Sequence, residues 1–410
     1  MTARGRRAAV GFILVSVWLD VLSLGVMIPA FPPLIQRFMG GDAATAGWVN
    51  GLLMAVWSAA QFFGGPVLGA LSDRFGRRPV LLISLFGLSL DYLLMAFAPT
   101  FGWLVLGRVL SGVTSAGMPV ASAYIADTTP PEKRAATFGL IGAAWGVGFI
   151  VGPALGGFLA DVHPRLPFAT AAALTLAGAL YGLFILPESL KPDDRAPFAF
   201  AKANPFGSLQ FLASHRELLT LSSVNFLMQL AHCVLPTIFV LYASNRYGWD
   251  MKTTGVALTL TGVCNIIVQG LLVKRVVARI GEWGAVLAGL VFGGLGFAIY
   301  GLAPNGFLFL AGTPVFAFIG LFGPGFQGLV TRRVSASEQG RLQGANSSLA
   351  GLAGVIAPTL FGFTYAWFVA PEHLYLPGSA FLLAASLHAL AALIALTVMG
   401  RAPGRAGAAA

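Results

Sequence analysis

The chain is predicted to be an all-α membrane protein: twelve transmembrane helices in two six-helix pseudo-symmetric bundles. Three observations carry this. Of the 410 residues, 57% are hydrophobic and only 10% charged, which is more apolar surface than a soluble fold can hide. The apolar residues fall into twelve stretches of the ~20 residues that cross about 30 Å of hydrocarbon, the first over 8–30 and the last over 377–399. The two halves also repeat. Val151-Gly152-Pro153-Ala154-Leu155 matches Ile356-Ala357-Pro358-Thr359-Leu360, Gly139 falls on Gly344 and Pro119 on Pro324, all at an offset of 205. Duplicated halves are the architecture of alternating-access transporters. The expected organisation is an N-terminal bundle over 1–186, a polar central linker over 187–216 and a C-terminal bundle over 217–410.

Taken in order, Arg4, Arg6 and Arg7 precede a stretch too long, and too polar at Asp20, for the apolar region of a signal peptide, so it reads as the first membrane helix. The second spans roughly Gly47 to Leu71, and the third begins at Pro79. Between them residues 69–79 read Gly-Ala-Leu-Ser-Asp-Arg-Phe-Gly-Arg-Arg-Pro, which sets Asp73, Arg74, Arg77 and Arg78 at one membrane face. The third helix carries Asp91. The fourth carries Arg108 and ends at Asp127, ahead of a turn with Glu132, Lys133 and Arg134. In the fifth, Gly146, Gly148, Gly152, Gly156 and Gly157 surround Pro153, a small-residue face that permits close backbone approach beside a residue that removes a helical hydrogen bond. Gly146-x-Gly148 is no dinucleotide loop, because it lies mid-membrane with no strand before it. After the linker the seventh helix holds Asn225, Gln229 and His232, and the twelfth holds His388. At an offset of 201, Gly69, Asp73 and Arg74 fall on Gly270, Lys274 and Arg275, a degraded second copy of the charged loop.

The net charge of +10 is a topology signal and not a nucleic-acid footprint. With both ends inside, all of the 25 Lys and Arg residues except Arg37, Arg108, Arg165, Arg246 and Lys252 fall on the cytoplasmic side, as the positive-inside bias requires. Cys233 and Cys264 lie in separate apolar helices and imply neither disulfide nor metal site.

Asp20, Asp91 and Arg108 are the leading functional residues, since an ionisable group at mid-bilayer costs about 2.5–3.5 kcal/mol on insertion scales and persists where it faces a polar interior. Either Arg108 pins helices by pairing with a carboxylate, or at least one aspartate binds and releases a proton with Arg108 setting its affinity. Asn225, Gln229 and His232 are candidates for a substrate cavity or for interhelical hydrogen bonds; Gln61, Asn265, Gln269, Gln327, Gln343 and Asn346 are weaker candidates for the same cavity, and His388 reads as packing. At the cytoplasmic face, Gly69, Asp73, Arg74, Gly76, Arg77, Arg78 and Asp127 either anchor topology or form a latch that joins helix ends when the inner gate is shut.

The 69–79 run resembles the loop between the second and third helices of the major facilitator superfamily. The resemblance extends to its tetracycline/proton antiporter branch through Leu19-Asp20 with Gly25-Val26-Met27-Ile28-Pro29, Asp91-Tyr92-Leu93-Leu94-Met95-Ala96, Gly107-Arg108 to Ala123-Tyr124-Ile125-Ala126-Asp127, and Met228-Gln229-Leu230 to Trp249-Asp250. Gly148, Gly152, Pro153, Gly156 and Gly157 resemble the antiporter motif. The resemblance implies export of tetracycline-like or other amphipathic drugs in exchange for protons, with Asp20, Asp91 and Arg108 in the membrane and Asp73, Arg77 and Asp127 at the gate. The second half departs from the pattern: Asn265 and Gly293 stand where the branch has a histidine and an aspartate, so coupling rests on the first half or is absent. The alternative is an exporter or uniporter of a different small metabolite without proton coupling. No clustered nucleophile, metal-ligand set or acid/base set supports an enzyme, no Gly-x-x-x-x-Gly-Lys-Ser/Thr loop supports an ATP-driven pump, and no alternating pattern supports a barrel. The expectation is a monomer without cofactor or metal in a bacterial inner membrane, with a small-molecule substrate, protons and lipid as partners and no nucleic acid.

Overall fold

The computed structural model describes residues 3–115, 117–195, 212, 216–335 and 338–399. Most of the linker, with Lys202, and the tail, with Arg401 and Arg405, lie outside the described residues, as do the side chains of Glu132 and Arg134. Among the described residues there is no strand. The helices are α1 (Ala3–Met27), α2 (Phe31–Phe38), α3 (Ala43–Phe75), α4 (Arg77–Phe97), α5 (Phe101–Thr114), α6 (Gly117–Thr128), α7 (Pro131–Val162), α8 (Leu166–Ile185), α9 (Arg216–His232), α10 (Val234–Tyr247), α11 (Met251–Ile267), α12 (Val273–Leu302), α13 (Gly306–Ala317), α14 (Phe322–Thr331), α15 (Gln339–Val369) and α16 (Ser379–Met399).

Proline positions account for most of the breaks. A proline lacks the N–H that would bond the carbonyl four residues back, and its ring presses on that carbonyl. Pro29 ends the first membrane helix at Met27, short of the expected residue 30, and the chain bends by 43° into α2. Pro119 sits four residues after Ser115, where α5 gives way to α6, and Pro236 four after His232, where α9 gives way to α10. Pro324 sits four after Gly320, in the short 3-10 turn ahead of α14. The second helix runs a turn longer than expected at each end. Asp42 caps its start by accepting from the backbone N–H groups of Ala44 (3.2 Å) and Thr45 (2.8 Å).

Ten described helical runs are long and apolar enough to span a membrane, eleven with the bent α1–α2 pair. One run, Met251–Leu302, is 52 residues long, about twice a bilayer at 1.5 Å per residue. It is broken at Gly281, whose φ is +73°, so dividing it there brings the count to twelve.

By contacts the chain forms two compact units: Met1–Pro205 with Pro236–Val263 and Pro358–Tyr375, and Phe206–Leu235 with Cys264–Ala357 and Leu376–Ala410. In the first, α1 packs along α7 and α8, and α4 along α5 and α8, around a core that includes Val17, Val21, Tyr124 and Ile125. In the second, α12 packs on α14 and α16 around Leu221, Val286, Phe322 and Phe326.

Candidate membrane and gate sites

Asp91 and Arg108 project from α4 and α5 toward one another and form an ion pair through the Arg108 Nη2. Asp91 is 0% and Arg108 3% exposed. Gly107 makes the approach possible, because a Cβ there would overlap the Asp91 carboxylate. The guanidinium also lies 5.2 Å from the centre of the Phe31 ring, a cation–π contact. Asp91 Oδ1 and Arg108 Nε have no hydrogen-bond partner, so the pair is only half satisfied.

Asp20 stands apart. With Ile13, Ser16, Val17, Leu81, Leu82, Leu85, Gly117, Gly182 and Leu186 it lines a narrow pocket between α1, α4, α6 and α8. Its carboxylate has no ion-pair or hydrogen-bond partner among the described residues. Tyr92, one residue beyond Asp91 and on the Leu85 side of α4, is fully buried with an unpaired hydroxyl and lies within electrostatic reach of Asp20, Asp91 and Arg108. Sequence reading passed over it because a tyrosine in an apolar helix reads as packing.

The fifth-helix glycines divide between two faces of α7. Gly148, Gly152 and Gly156 lie against Val21, Gly25 and Val26 of α1; the Cβ of a side chain at 152 would sit 2.7 Å from the Gly25 Cα. Gly157 instead faces α11, where a Cβ would come 2.5 Å from the Met251 carbonyl oxygen, and a Cβ at Gly255 would overlap the Pro153 carbonyl. Thr259 donates to the Ile150 carbonyl at 2.7 Å on the same seam. A parallel seam joins α3 to α10 and α15. Asn50 donates to the Thr237 carbonyl at 2.5 Å, and a Cβ at Gly362 would sit 2.7 Å from the Gly47 oxygen.

In the charged loop, Arg77 pairs with Asp73, donates from Nη1 to Ser72 Oγ at 2.7 Å and from Nε to Asp127 at 3.2 Å. Arg78 donates to the Leu183 carbonyl. Arg74 lies over the Phe75 ring, 5.1 Å from its centre, and a Cβ at Gly69 would meet open space. The residue missed at this site is Glu188. Its carboxylate accepts the backbone N–H groups of Arg77 (2.8 Å) and Arg78 (3.1 Å), capping α4, while Ser189 donates to Asp127 at 3.1 Å. Gly76, at φ +111°, leaves room for that carboxylate. As part of a polar linker, Glu188 carried no sequence signal of this role.

The cavity candidates fall in different units. Gln61 of the first unit donates to Ser115 Oγ at 2.7 Å. In the second unit Asn225 is buried, Gln229 and Asn265 are half-buried, His232 stacks on Phe316 at 6.1 Å, and Gln327 accepts from Gln343 at 3.0 Å. His388 is buried, with Nδ1 3.1 Å from the Ala384 carbonyl and Nε2 beside Gly293.

Ionisable side chains buried within long apolar helices, in a duplicated helical chain, define a polytopic membrane transporter. Known proteins agree. The family model of the Major Facilitator Superfamily matches residues 13–358. The class C tetracycline resistance protein of Escherichia coli is 35% identical over 354 residues, 86% of this chain and 89% of that protein. The class B protein of the same species is 35% identical over 352 residues, 86% and 87% of the two chains. The crystal structure of the human organic anion transporter MFSD10 (TETRAN) has the same fold, with a TM-score of 0.71 over 96% of this chain and 100% of that one at 23% identity. The chain therefore belongs to the Major Facilitator Superfamily, alongside its tetracycline resistance proteins. It is a multi-pass membrane transporter of a small molecule and not an enzyme.

Proposed function

We propose that this protein exports tetracycline-like or other amphipathic drugs from the cytoplasm in exchange for protons, by alternating access, as a monomer in a bacterial inner membrane with both termini cytoplasmic. The names of its relatives support the drug, and the distribution of basic residues supports the orientation. Proton exchange rests on one observation: the Asp20 carboxylate lines a pocket of mainly apolar side chains and has no partner among the described residues. Gain or loss of a proton at such a group changes the local energy by several kcal/mol, enough to bias helix packing. Asp91 holds Arg108 in place, Tyr92 lies within electrostatic reach of Asp20 and Arg108 alike, and Arg108 is the cation that sets how firmly the proton is held. At the inner face, Arg77 with Asp73 and Asp127 is the latch that keeps α3, α4 and α6 together while the gate is shut. The expected result in inverted vesicles is tetracycline uptake that needs an imposed pH gradient and is lost in Asp20→Asn. Full gradient dependence in the Asp20→Asn, Asp91→Asn double variant would overturn the coupling, and no uptake above empty vesicles would overturn the substrate.

A further inference from the structure

The first-half latch has a charge-inverted counterpart in the second half. At the offset of 205 that relates the halves, Arg77 falls on Glu282 and Asp127 on Arg332. Each pair is bonded within its own unit, Arg77 to Asp127 at 3.2 Å and Glu282 to Arg332 at 2.8 Å. Each helix begins after a glycine with positive φ, Gly76 (+111°) and Gly281 (+73°), and these also fall on one another. The looser match of the loop at an offset of 201 hid this, because the second copy carries four extra residues between Arg275 and Gly281.

Inversion matters because of where these charges sit. A helix N-terminus favours an anion and a C-terminus a cation. In the first half Arg77 is the first residue of α4 and Asp127 lies in the last turn of α6, so both charges oppose their helix ends. The Glu188 carboxylate on the Arg77 and Arg78 N–H groups supplies the anion that the α4 N-terminus lacks. In the second half Glu282 opens the helical run after Gly281 and Arg332 is the C-cap that follows Thr331 of α14, so both charges match their helix ends. Gly325 and Gly328 let α14 close on Glu282; a Cβ at 328 would lie 2.5 Å from its Oε1. Beside it Arg333 bonds Glu217 at 3.3 Å and lies over the Trp283 ring.

We propose that Glu282 and Arg332 are positioning residues of a permanently closed second-half clasp, and that the Arg77–Asp127 clasp, whose polarity needs the linker residue Glu188 to hold it, is the one that opens. The proposal rests on reading Arg77–Asp127 as the inner latch, but its test needs no drug flux, so a protein that moves no tetracycline still decides it. In the full chain with Cys233→Ser and Cys264→Ser, a single Ser72→Cys, at a site 1% exposed beneath Arg77, reports opening by its maleimide labelling rate. Glu188→Gln is expected to speed labelling tenfold or more. Glu282→Gln and Arg332→Gln are expected to leave labelling within twofold while lowering the melting temperature of the purified protein by about 1 °C, the Arg332 side chain being 76% exposed. The swap Glu282→Arg with Arg332→Glu keeps the opposite charges but sets them against the helix ends, so it is expected to regain less than half of that loss. Faster labelling in Glu282→Gln or Arg332→Gln, unchanged labelling in Glu188→Gln, unchanged melting in both second-half variants, or full recovery in the swap would each overturn the proposal.

Discussion

Removing either member of the Asp91–Arg108 pair should damage the protein far more than removing both. Asp91 is 0% and Arg108 3% exposed, so Arg108→Gln leaves a carboxylate, and Asp91→Asn a guanidinium, with neither water nor counter-charge. Breaking a buried pair from one side costs about 3–5 kcal/mol, whereas neutral replacement of both partners is often close to neutral. Here Asp91 Oδ1 and Arg108 Nε are already unpaired, so the pair itself is imperfect and the double variant should lose only about 1–2 kcal/mol. The expected coupling, the two single losses together less the loss of the double variant, is therefore at least about 4 kcal/mol, several hundredfold or more in the folded ratio at 1.4 kcal/mol per decade. Thermal unfolding of the native protein, the two single variants and Asp91→Asn/Arg108→Gln in detergent, followed by tryptophan fluorescence, measures it. Additive losses, within about 0.5 kcal/mol, would show that the two side chains do not share one buried environment and would refute the reasoning.

Three further outcomes are expected. Gly157→Ala drives a Cβ into the Met251 carbonyl, and backbone cannot swing away as a side chain would, so it should lose about 1–3 kcal/mol in the same melt; Gly142→Ala on the same helix meets nothing within 4 Å and should be neutral or slightly stabilising, so equal effects would refute the close-approach argument. Gly76→Ala strains a φ of +111° and overlaps the Glu188 carboxylate, so transport in vesicles should fall at least tenfold while helix content by circular dichroism stays unchanged; native transport would remove Glu188 from the latch. The side chain and backbone of Thr45 hold the Asp42 carboxyl below the usual carboxylate range. A depressed native value gives stability that is present above the ordinary carboxylate range, about 3.9, and is lost as pH falls through the lower native one. Melting temperature should thus drop more between pH 5 and pH 2 in the native protein than in Asp42→Asn, which caps without titrating; parallel curves would refute it.

What could be read in the sequence was whatever depends on position along a helix. Position within a helix follows from residue count, so Asp20, Asp91 and Arg108 could be placed inside long apolar helices, and the loop at 69–79 at the junction of two of them. Rotation about the helix axis could not be read, because long apolar helices in a membrane have no polar outer face to orient them. Asp20 and Asp91 therefore looked equivalent, yet one faces an unpartnered pocket and the other a guanidinium. The same ambiguity hid the division of the α7 glycines: 148, 152 and 156 recur every four residues and share the α1 face, while Gly157, one residue on, is turned by about 100° toward α11.

That division bears on the mechanism. A helix that meets α1 and α11 through bare backbone cannot tilt without opening one of the contacts, since glycine faces have no side chains that could stretch across a widening gap. Contacts of this kind are close to all-or-none, and they suit a transporter that must pass between discrete states. Pro153 strengthens the effect, because its own carbonyl presses on Gly255 while its ring weakens the hydrogen bonding of α7 one turn earlier. The place where α7 is most easily bent is therefore also a place where it touches α11, so a change in α1 around Asp20 can reach the Gly157–Met251 seam through one short segment of helix.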